Sequence, residues 1–218
     1  LEEFINYFEQ DYPLPQDEAF GIHLEAAHTP FSAQDSYVMR VGIQGYDIAA
    51  DARPDATLIF VIDVSGSMDM ENRLEAVKQA LNMLVNQLRP TDRIGIVVYG
   101  SQGRVVLEPT ELGQASQVRD AINSLYPEGS TNAEEGLRLA YDLATAYYDP
   151  NRLNRLILCS DGVANVGATG PDAILATVRQ QANEGITLTT VGFGMGNYND
   201  VLMEQLANGG NGQYFYVD

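Results

Sequence analysis

The sequence predicts an α/β protein built on a doubly wound, mostly parallel sheet. From about residue 57 onward, short apolar runs alternate with segments whose apolar residues recur every three or four positions. This alternation is typical of parallel strands joined by crossover helices. Hydrophobic residues make up 45% of the 218 residues, so one sizeable core is expected. Residues 1–56 do not follow the alternation and are predicted to form an N-terminal appendage.

The larger portion, residues 57–218, contains six predicted strands, each a short apolar run: 57–63, 94–99, 104–107, 154–160, 186–192 and 213–217. Five helices are predicted between them: 71–88, 115–125, 133–147, 171–183 and 199–207. In the first helix the apolar residues recur at helical spacing, so one face should pack on the sheet. Strands 94–99 and 104–107 are joined too closely for a helical crossover. The second is therefore predicted to be an antiparallel edge strand.

The N-terminal appendage is predicted to consist of one helix, a β-hairpin and a linker. Residues 1–8 place their apolar side chains on one helical face. Residues 20–27 and 37–44 have the pattern of two strands, and in the first of them every second residue is apolar, as in a half-buried strand. Residues 49–55 are predicted to link the appendage to the larger portion.

Composition and charge exclude several classes of partner. The chain has 30 acidic and 12 basic residues, which gives a net charge of −18. This charge argues against binding to nucleic acid or to an anionic membrane surface. No run is long and apolar enough to form a transmembrane segment. Cys159 is the only cysteine, so it has no partner for an internal disulfide, and we predict a buried core residue rather than a reactive thiol.

Five side chains with hard oxygen atoms are candidate metal ligands, and four of them stand directly after predicted strands. Asp63, Ser65 and Ser67 follow the first apolar run directly, Thr131 lies in a short polar loop, and Asp161 follows the fourth run. In a doubly wound sheet, ligands bind beyond the carboxyl ends of the strands, where the strand order reverses. Carboxylate and hydroxyl oxygens are the ligands that Mg²⁺ prefers. The pattern therefore predicts a divalent-cation site.

The spacing Asp63-x-Ser65-x-Ser67, followed by Thr131 and Asp161, resembles the metal-ion-dependent adhesion site of von Willebrand factor type A (vWA) domains. The resemblance implies a Rossmann-like vWA fold and a metal-dependent protein-binding module for adhesion or assembly, without catalytic activity. It implies Mg²⁺, Mn²⁺ or Ca²⁺ at these five residues. In such domains the two aspartates act at least partly through water, so the ion's charge is incompletely offset. A Glu or Asp carboxylate of a partner protein is then expected to complete the coordination.

The resemblance covers residues 57–218 and is closest to bacterial vWA proteins with an extra N-terminal segment, because residues 2–8 and 191–198 look like hallmarks of that group. Such proteins are often exported or membrane-anchored, which implies a cell-envelope, surface or secreted location. Domains of this type usually finish with a helix after the last strand. This sequence ends at Asp218 and begins without a leader, so we expect a fragment or mature form whose vWA domain lacks its final helix. The helix predicted at 1–8 is expected to pack in the vacant groove.

Several alternatives remain for the site and for the function. Asp-x-Ser-x-Ser alone is also compatible with helix capping. An EF-hand loop is excluded, because Met68 stands where glycine is needed and Leu74 where glutamate is needed. The chain could be a cytoplasmic accessory domain of an ATP-driven chelatase or remodelling complex. A Mg²⁺-dependent phosphatase with Asp63 as nucleophile is disfavoured, because residue 65 is serine instead of a second acid and Lys78 lies inside a predicted helix.

Overall fold

The structure is a computed structural model that describes residues 7–8, 10–15, 18–29, 31, 36–48, 52–162, 170–194 and 200–217. The chain divides into two units, Leu1–Arg53 and Pro54–Asp218, and each is described by itself. Most of the helix predicted at 1–8 lies outside the described residues, as does its expected packing in a groove. Residues 49–51 of the predicted linker and residues 195–198 of the second hallmark segment also lie outside them.

The first unit contains an antiparallel hairpin. Strand β1 spans Phe20–His28 and strand β2 spans Tyr37–Gly45. The two strands pair over their whole lengths, from Phe20 opposite Gly45 to His28 opposite Tyr37. This confirms the two predicted strands of the appendage.

The two faces of the hairpin have different surroundings. On one face the ring of Tyr12 stacks on His23, with centroids 4.6 Å apart, and Arg40 lies 5.7 Å from the centroid of the same ring. The other face carries apolar side chains that are all more than half exposed: Phe20, Ile22, Leu24, Met39, Val41 and Ile43. The alternation predicted half-burial of this face, but it is the opposite, more polar face that receives an aromatic ring.

The second unit is built on a six-stranded sheet. Its strands are β3 Ala56–Asp63, β4 Arg93–Tyr99, β5 Gly103–Glu111, β6 Leu153–Ser160, β7 Ile186–Phe193 and β8 Tyr214–Val217. They lie side by side in the order β5-β4-β3-β6-β7-β8. Every neighbouring pair is parallel except β4 and β5, which are antiparallel. This confirms the doubly wound, mostly parallel sheet with one antiparallel edge strand.

The edge strand β5 is longer than predicted. It pairs with β4 as far as Glu111, opposite Arg93, with register shifts between Ile94 and Val97. The sequence prediction ended before Pro109. A proline is tolerated in this strand because an edge strand has one row of N–H groups that needs no partner in the sheet.

Five α-helices are described in the second unit: α1 Arg73–Val85, α2 Ala115–Asn123, α3 Ala133–Ala146, α4 Pro171–Asn183 and α5 Asp200–Gly209. Short 3₁₀ segments precede α1 and α2: Gly66–Asn72, which is kinked at the non-helical residues Met70 and Glu71, and Leu112–Gln114. Helix α1 begins two residues later than predicted, because Glu71 and Asn72 adopt left-handed backbone conformations with φ of 55° and 59°. None of the described helices is long and apolar enough to cross a membrane.

The sheet separates two hydrophobic cores. Alternate residues of β3 point into different cores: Ile59 and Val61 into the core covered by α3, α4 and α5, and Phe60 and Ile62 into the core covered by α1 and α2. Strand β3 is buried along its whole length, as expected for a central parallel strand. Cys159 is buried in the second core, and burial raises the pKa of its thiol to about 12. The thiol therefore stays protonated and unreactive at neutral pH.

Candidate metal site

The candidate site lies at the point where the strand order of the sheet reverses. Strands β4 and β5, which follow β3 in the chain, are added on one side of it, and β6, β7 and β8 are added on the other side. Ile62 is opposite Cys159 in the parallel register, so Asp63 and Ser160 end the two strands side by side. Loops that follow two such strands diverge and leave a crevice between them, which is the usual ligand position in a doubly wound sheet.

Asp63 is fully buried at the floor of this crevice. Its Oδ1 accepts a hydrogen bond of 2.8 Å from the backbone N–H of Ser65, and its Oδ2 accepts one of 3.0 Å from the hydroxyl of Ser160. Burial raises the pKa of Asp63 above its usual value, and the charge of Asp161 acts in the same direction, while hydrogen bonds from Ser65 and Ser160 oppose them. Asp63 is thus a desolvated carboxylate that accepts hydrogen bonds from the uncharged residues Ser65 and Ser160.

Ser65 and Ser67 present their hydroxyls on the loop that follows Asp63. Their Oγ atoms lie 3.1 Å apart, and Ser65 is 2% exposed. The backbone N–H of Met68 donates a hydrogen bond of 3.0 Å to the carbonyl of Ser65, and the buried Met68 side chain anchors this turn in the core. Two neighbouring ligands of an octahedral ion with bonds near 2.1 Å are about 3.0 Å apart. The spacing of the two hydroxyls therefore suits adjacent positions around one small cation.

Thr131 lies on a second loop that is hydrogen-bonded to the first. The backbone N–H of Gly66 donates to the carbonyl of Gly129 at 3.2 Å, and the N–H of Glu128 donates to the carbonyl of Val64 at 2.5 Å. These two bonds bring the loop that carries Thr131 to the edge of the sheet where Asp63 lies. Thr131 directly precedes Asn132, whose side chain caps α3 by accepting a hydrogen bond from the N–H of Glu135.

The conformation of this second loop depends on Gly129, and Gly129→Ala is expected to displace it. Gly129 has φ of 68°, and a Cβ at this position would overlap the Ser101 side chain. Gly170, with φ of 81°, has open space around its Cβ position, so Gly170→Ala carries the backbone strain alone. We expect Gly129→Ala to lower the melting temperature more than Gly170→Ala does. Gly129→Ala should also weaken Mn²⁺ binding, whereas Gly170→Ala should leave it unchanged. Equal effects of the two variants in calorimetry and thermal melting would contradict this role.

Asp161 follows β6, and its side chain is 8% exposed. Its Oδ2 accepts a hydrogen bond of 2.7 Å from Nη1 of Arg73, the first residue of α1. Asp161 directly follows Ser160, whose hydroxyl donates to Asp63, so the two carboxylates lie at the same crevice. Sequence analysis missed both Arg73 and Ser160. Ser160 directly precedes Asp161 and was recognisable as a polar residue at the end of an apolar run.

The donor set is suited to a hard cation that tolerates neutral ligands. Within the described ranges, no group of three or more His, Cys, Asp or Glu side chains is arranged to hold a metal. The two carboxylates of the crevice, Asp63 and Asp161, are instead combined with hydroxyl groups. Oxygen ligands of this kind fit Mg²⁺, Mn²⁺ or Ca²⁺ better than softer metals, which favour cysteine or histidine.

Known proteins resemble this chain over its whole length. The profile of the von Willebrand factor type A domain matches residues 57–218, and a second profile, described as von Willebrand factor, matches residues 1–39. The uncharacterized protein YfbK of Escherichia coli K12 is 36% identical over 226 residues, which cover 100% of this chain and 39% of that protein. The chain therefore spans about two fifths of the length of this curated relative.

Solved structures show the same fold at lower sequence identity. A von Willebrand factor type A protein from Catenulispora acidiphila matches with a TM-score of 0.66 and 18% identity, over 97% of this chain and 48% of that chain. The conserved hypothetical protein BatB from Bacteroides thetaiotaomicron matches with a TM-score of 0.64 and 21% identity, over 75% of this chain and 90% of that chain. Together with the profile match over most of the sequence, these likenesses lead to one conclusion. The chain belongs to the von Willebrand factor type A domain family.

Proposed function

We propose that this chain is a metal-dependent protein-binding module whose divalent cation binds an acidic side chain of a partner protein. The proposed ligands are Asp63, Ser65, Ser67, Thr131 and Asp161. Domains of this family generally mediate protein–protein interactions, are generally not enzymes, and often hold a divalent metal. The observation that carries the proposal is the pair of hydroxyls 3.1 Å apart beside a fully buried carboxylate at the switch point of the sheet.

The charges of the site explain why the partner should offer a carboxylate. Asp63 supplies one negative charge, whereas Asp161 is paired with Arg73 at 2.7 Å and so contributes less net charge. The remaining proposed ligands, two serines and a threonine, are neutral. When bound, the cation therefore keeps a positive charge that its protein ligands do not offset, and it attracts an external carboxylate. A site with more carboxylate ligands would lack this property.

The net charge of the chain restricts the partner further. The chain has a net charge of −18, which repels a strongly acidic protein at long range. We therefore expect the recognised Glu or Asp to lie on a neutral or basic surface of the partner. If that surface is basic, association should slow as ionic strength rises, because long-range attraction between opposite charges is screened by salt.

We also propose that the protein works in the cell envelope, at the surface or outside the cell. The support is the resemblance to bacterial vWA proteins of this type. The alternative is a cytoplasmic role beside an ATP-driven chelatase or remodelling complex. Fractionation of cells that express the full-length protein distinguishes the two, since an envelope protein is recovered with membranes or in the medium.

The proposal is tested by calorimetric titration of Mn²⁺ and Mg²⁺ into the wild-type chain and Ser65→Ala/Ser67→Ala. We expect one ion to bind per wild-type chain. The double variant lacks two proposed direct ligands, so its metal affinity should fall by about 10²-fold or more. Removal of residues that only support the ligands already lowers metal affinity by up to about 10²-fold.

A matched control removes two hydroxyls elsewhere. Ser124 and Thr177 each donate a hydrogen bond to a backbone carbonyl of their own helical segment, at exposed positions. Ser124→Ala/Thr177→Ala should bind metal like the wild type. A folded wild type that binds neither ion, or a Ser65→Ala/Ser67→Ala variant with unchanged affinity, would contradict the proposal.

A further inference from the structure

A cationic side chain lies against the candidate metal site. Nη1 of Arg73 is 2.7 Å from Oδ2 of Asp161, and Nη2 is 2.9 Å from Oε2 of Glu71. The Arg73 side chain is only 12% exposed, whereas Glu71 is 61% exposed. The Arg73–Asp161 contact is therefore a largely buried ion pair that involves one of the proposed metal ligands.

The position of Arg73 is unfavourable in three respects. A positive charge in the first turn of a helix opposes the helix dipole. Its Nε is buried and has no hydrogen-bond partner among the described residues. The two residues before it, Glu71 and Asn72, are non-glycine residues with positive φ. Such features persist where the surrounding structure enforces them, and they concentrate at functional sites.

Gly194 provides the space for the guanidinium. It follows β7 with φ of 98°, and a Cβ at this position would overlap Nε and Cζ of Arg73. Arg73 therefore contacts the loop after β6 through Asp161 and the segment after β7 through Gly194, while its own backbone continues the loop after β3. The side chain is fixed by three segments that all leave the carboxyl ends of strands.

We infer that Arg73 is a resident counter-charge of the metal site, which neutralises Asp161 and thereby lowers the affinity of the site for a divalent cation. This inference rests on the proposed function. A fixed positive charge close to a divalent ion repels it strongly in a partly buried site. The ion then gains more from a partner's carboxylate, which supplies the negative charge that Arg73 has neutralised. Metal and partner should therefore bind cooperatively, each raising the affinity for the other by the same factor.

The test compares Mn²⁺ affinities of the wild type, Arg73→Gln and Arg73→Lys by calorimetry. Because Arg73→Gln removes the repelling charge, we expect its affinity to rise by about tenfold or more. Arg73→Lys keeps the charge and should stay close to the wild type. Arg93→Gln is the matched control: Arg93 begins β4, at the opposite end of the sheet, and pairs with Glu111 at 3.2 Å. It should leave the affinity unchanged.

A second readout is the melting temperature in Mn²⁺ relative to the same variant in chelator. This difference should be larger for Arg73→Gln than for the wild type, because tighter binding to the folded state stabilises it more. If Arg73→Gln does not fold, as judged by circular dichroism, Arg73→Met serves instead, since it keeps the apolar stem and also lacks the charge.

The outcomes separate this inference from the proposed function. If the wild type binds Mn²⁺ and the neutral variant binds equally or more weakly, the counter-charge role is wrong and the proposed function stands. If neither protein binds, the proposed function is wrong and the inference falls with it. A wild type that binds Mn²⁺, together with a neutral variant that binds it more tightly, supports both.

Discussion

Asp63→Asn is expected to weaken divalent-cation binding strongly and, at the same time, to raise the thermal stability of the metal-free protein at pH 7. Burial raises the pKa of Asp63. A carboxyl whose pKa is raised on folding contributes its full stabilisation below the pKa that it has in the unfolded chain, 3.8, where it is protonated. This stabilisation is lost as the pH rises through the pKa of the folded state. At neutral pH the buried charge therefore opposes folding. Asparagine removes the charge and retains an oxygen that can accept from the N–H of Ser65.

The measurement is thermal melting in chelator, together with calorimetry. Each kcal/mol by which the substitution raises the free energy of unfolding should raise the melting temperature by about 2–4 °C in a domain of this size. Mn²⁺ affinity should fall by about 10²-fold or more. The stability difference between variant and wild type should close as pH is lowered through the folded pKa of Asp63. Asp120→Asn, at an exposed position of α2, is the control and should change neither quantity. A lower melting temperature of Asp63→Asn at every pH would contradict the expectation.

Asp92→Ala is expected to be among the most destabilising single substitutions in the second unit. Asp92 is fully buried. Its Oδ1 accepts a hydrogen bond of 2.8 Å from the N–H of Ala56, and its Oδ2 accepts one of 2.8 Å from the N–H of Arg89. Alanine leaves both N–H groups without this acceptor, and each such loss costs about 1–3 kcal/mol. The melting temperature should therefore fall by about 2–4 °C for each kcal/mol lost.

The matched control for this substitution is Asp92→Asn. Asparagine keeps one acceptor oxygen, so the loss of stability should be smaller than for alanine. Asp92 precedes β4 and acts at the amino ends of the strands, away from the crevice. Metal binding by the folded fraction of either variant should therefore equal that of the wild type. A small and equal change of the melting temperature in both variants would show that the two hydrogen bonds contribute little.

Much of the second unit could be predicted because its elements are long and strongly patterned. The buried strand β3 is a continuous apolar run, and α4 has the same bounds, 171–183, in the prediction and in the structure. The start of α1 was less predictable. Glu71 and Asn72, which end the kinked segment Gly66–Asn72, have left-handed conformations, and glutamate adopts this conformation rarely, so the sequence pattern placed the helix start at Glu71.

The candidate site was predictable to the extent that its residues are close in sequence. Asp63, Ser65 and Ser67 form one short motif directly after a strand. The Arg73–Asp161 pair joins residues 88 positions apart, and only the folded sheet shows that they meet. The same holds for the Ser160–Asp63 hydrogen bond, across 97 positions. Local patterns therefore predicted the proposed ligands, whereas the side chains that hold them in place required the tertiary structure.

The burial of Cys159 makes the chain suitable for site-specific chemistry. With a pKa of about 12, this thiol is almost wholly protonated at neutral pH, and it is enclosed between the sheet and α1 and α2. A cysteine introduced at exposed Asp69, four residues after Ser65, would be the one thiol accessible to a maleimide or photo-crosslinker. Such a probe would label the rim of the crevice selectively without removal of the native cysteine, so that a bound partner could be captured covalently and its contact surface mapped.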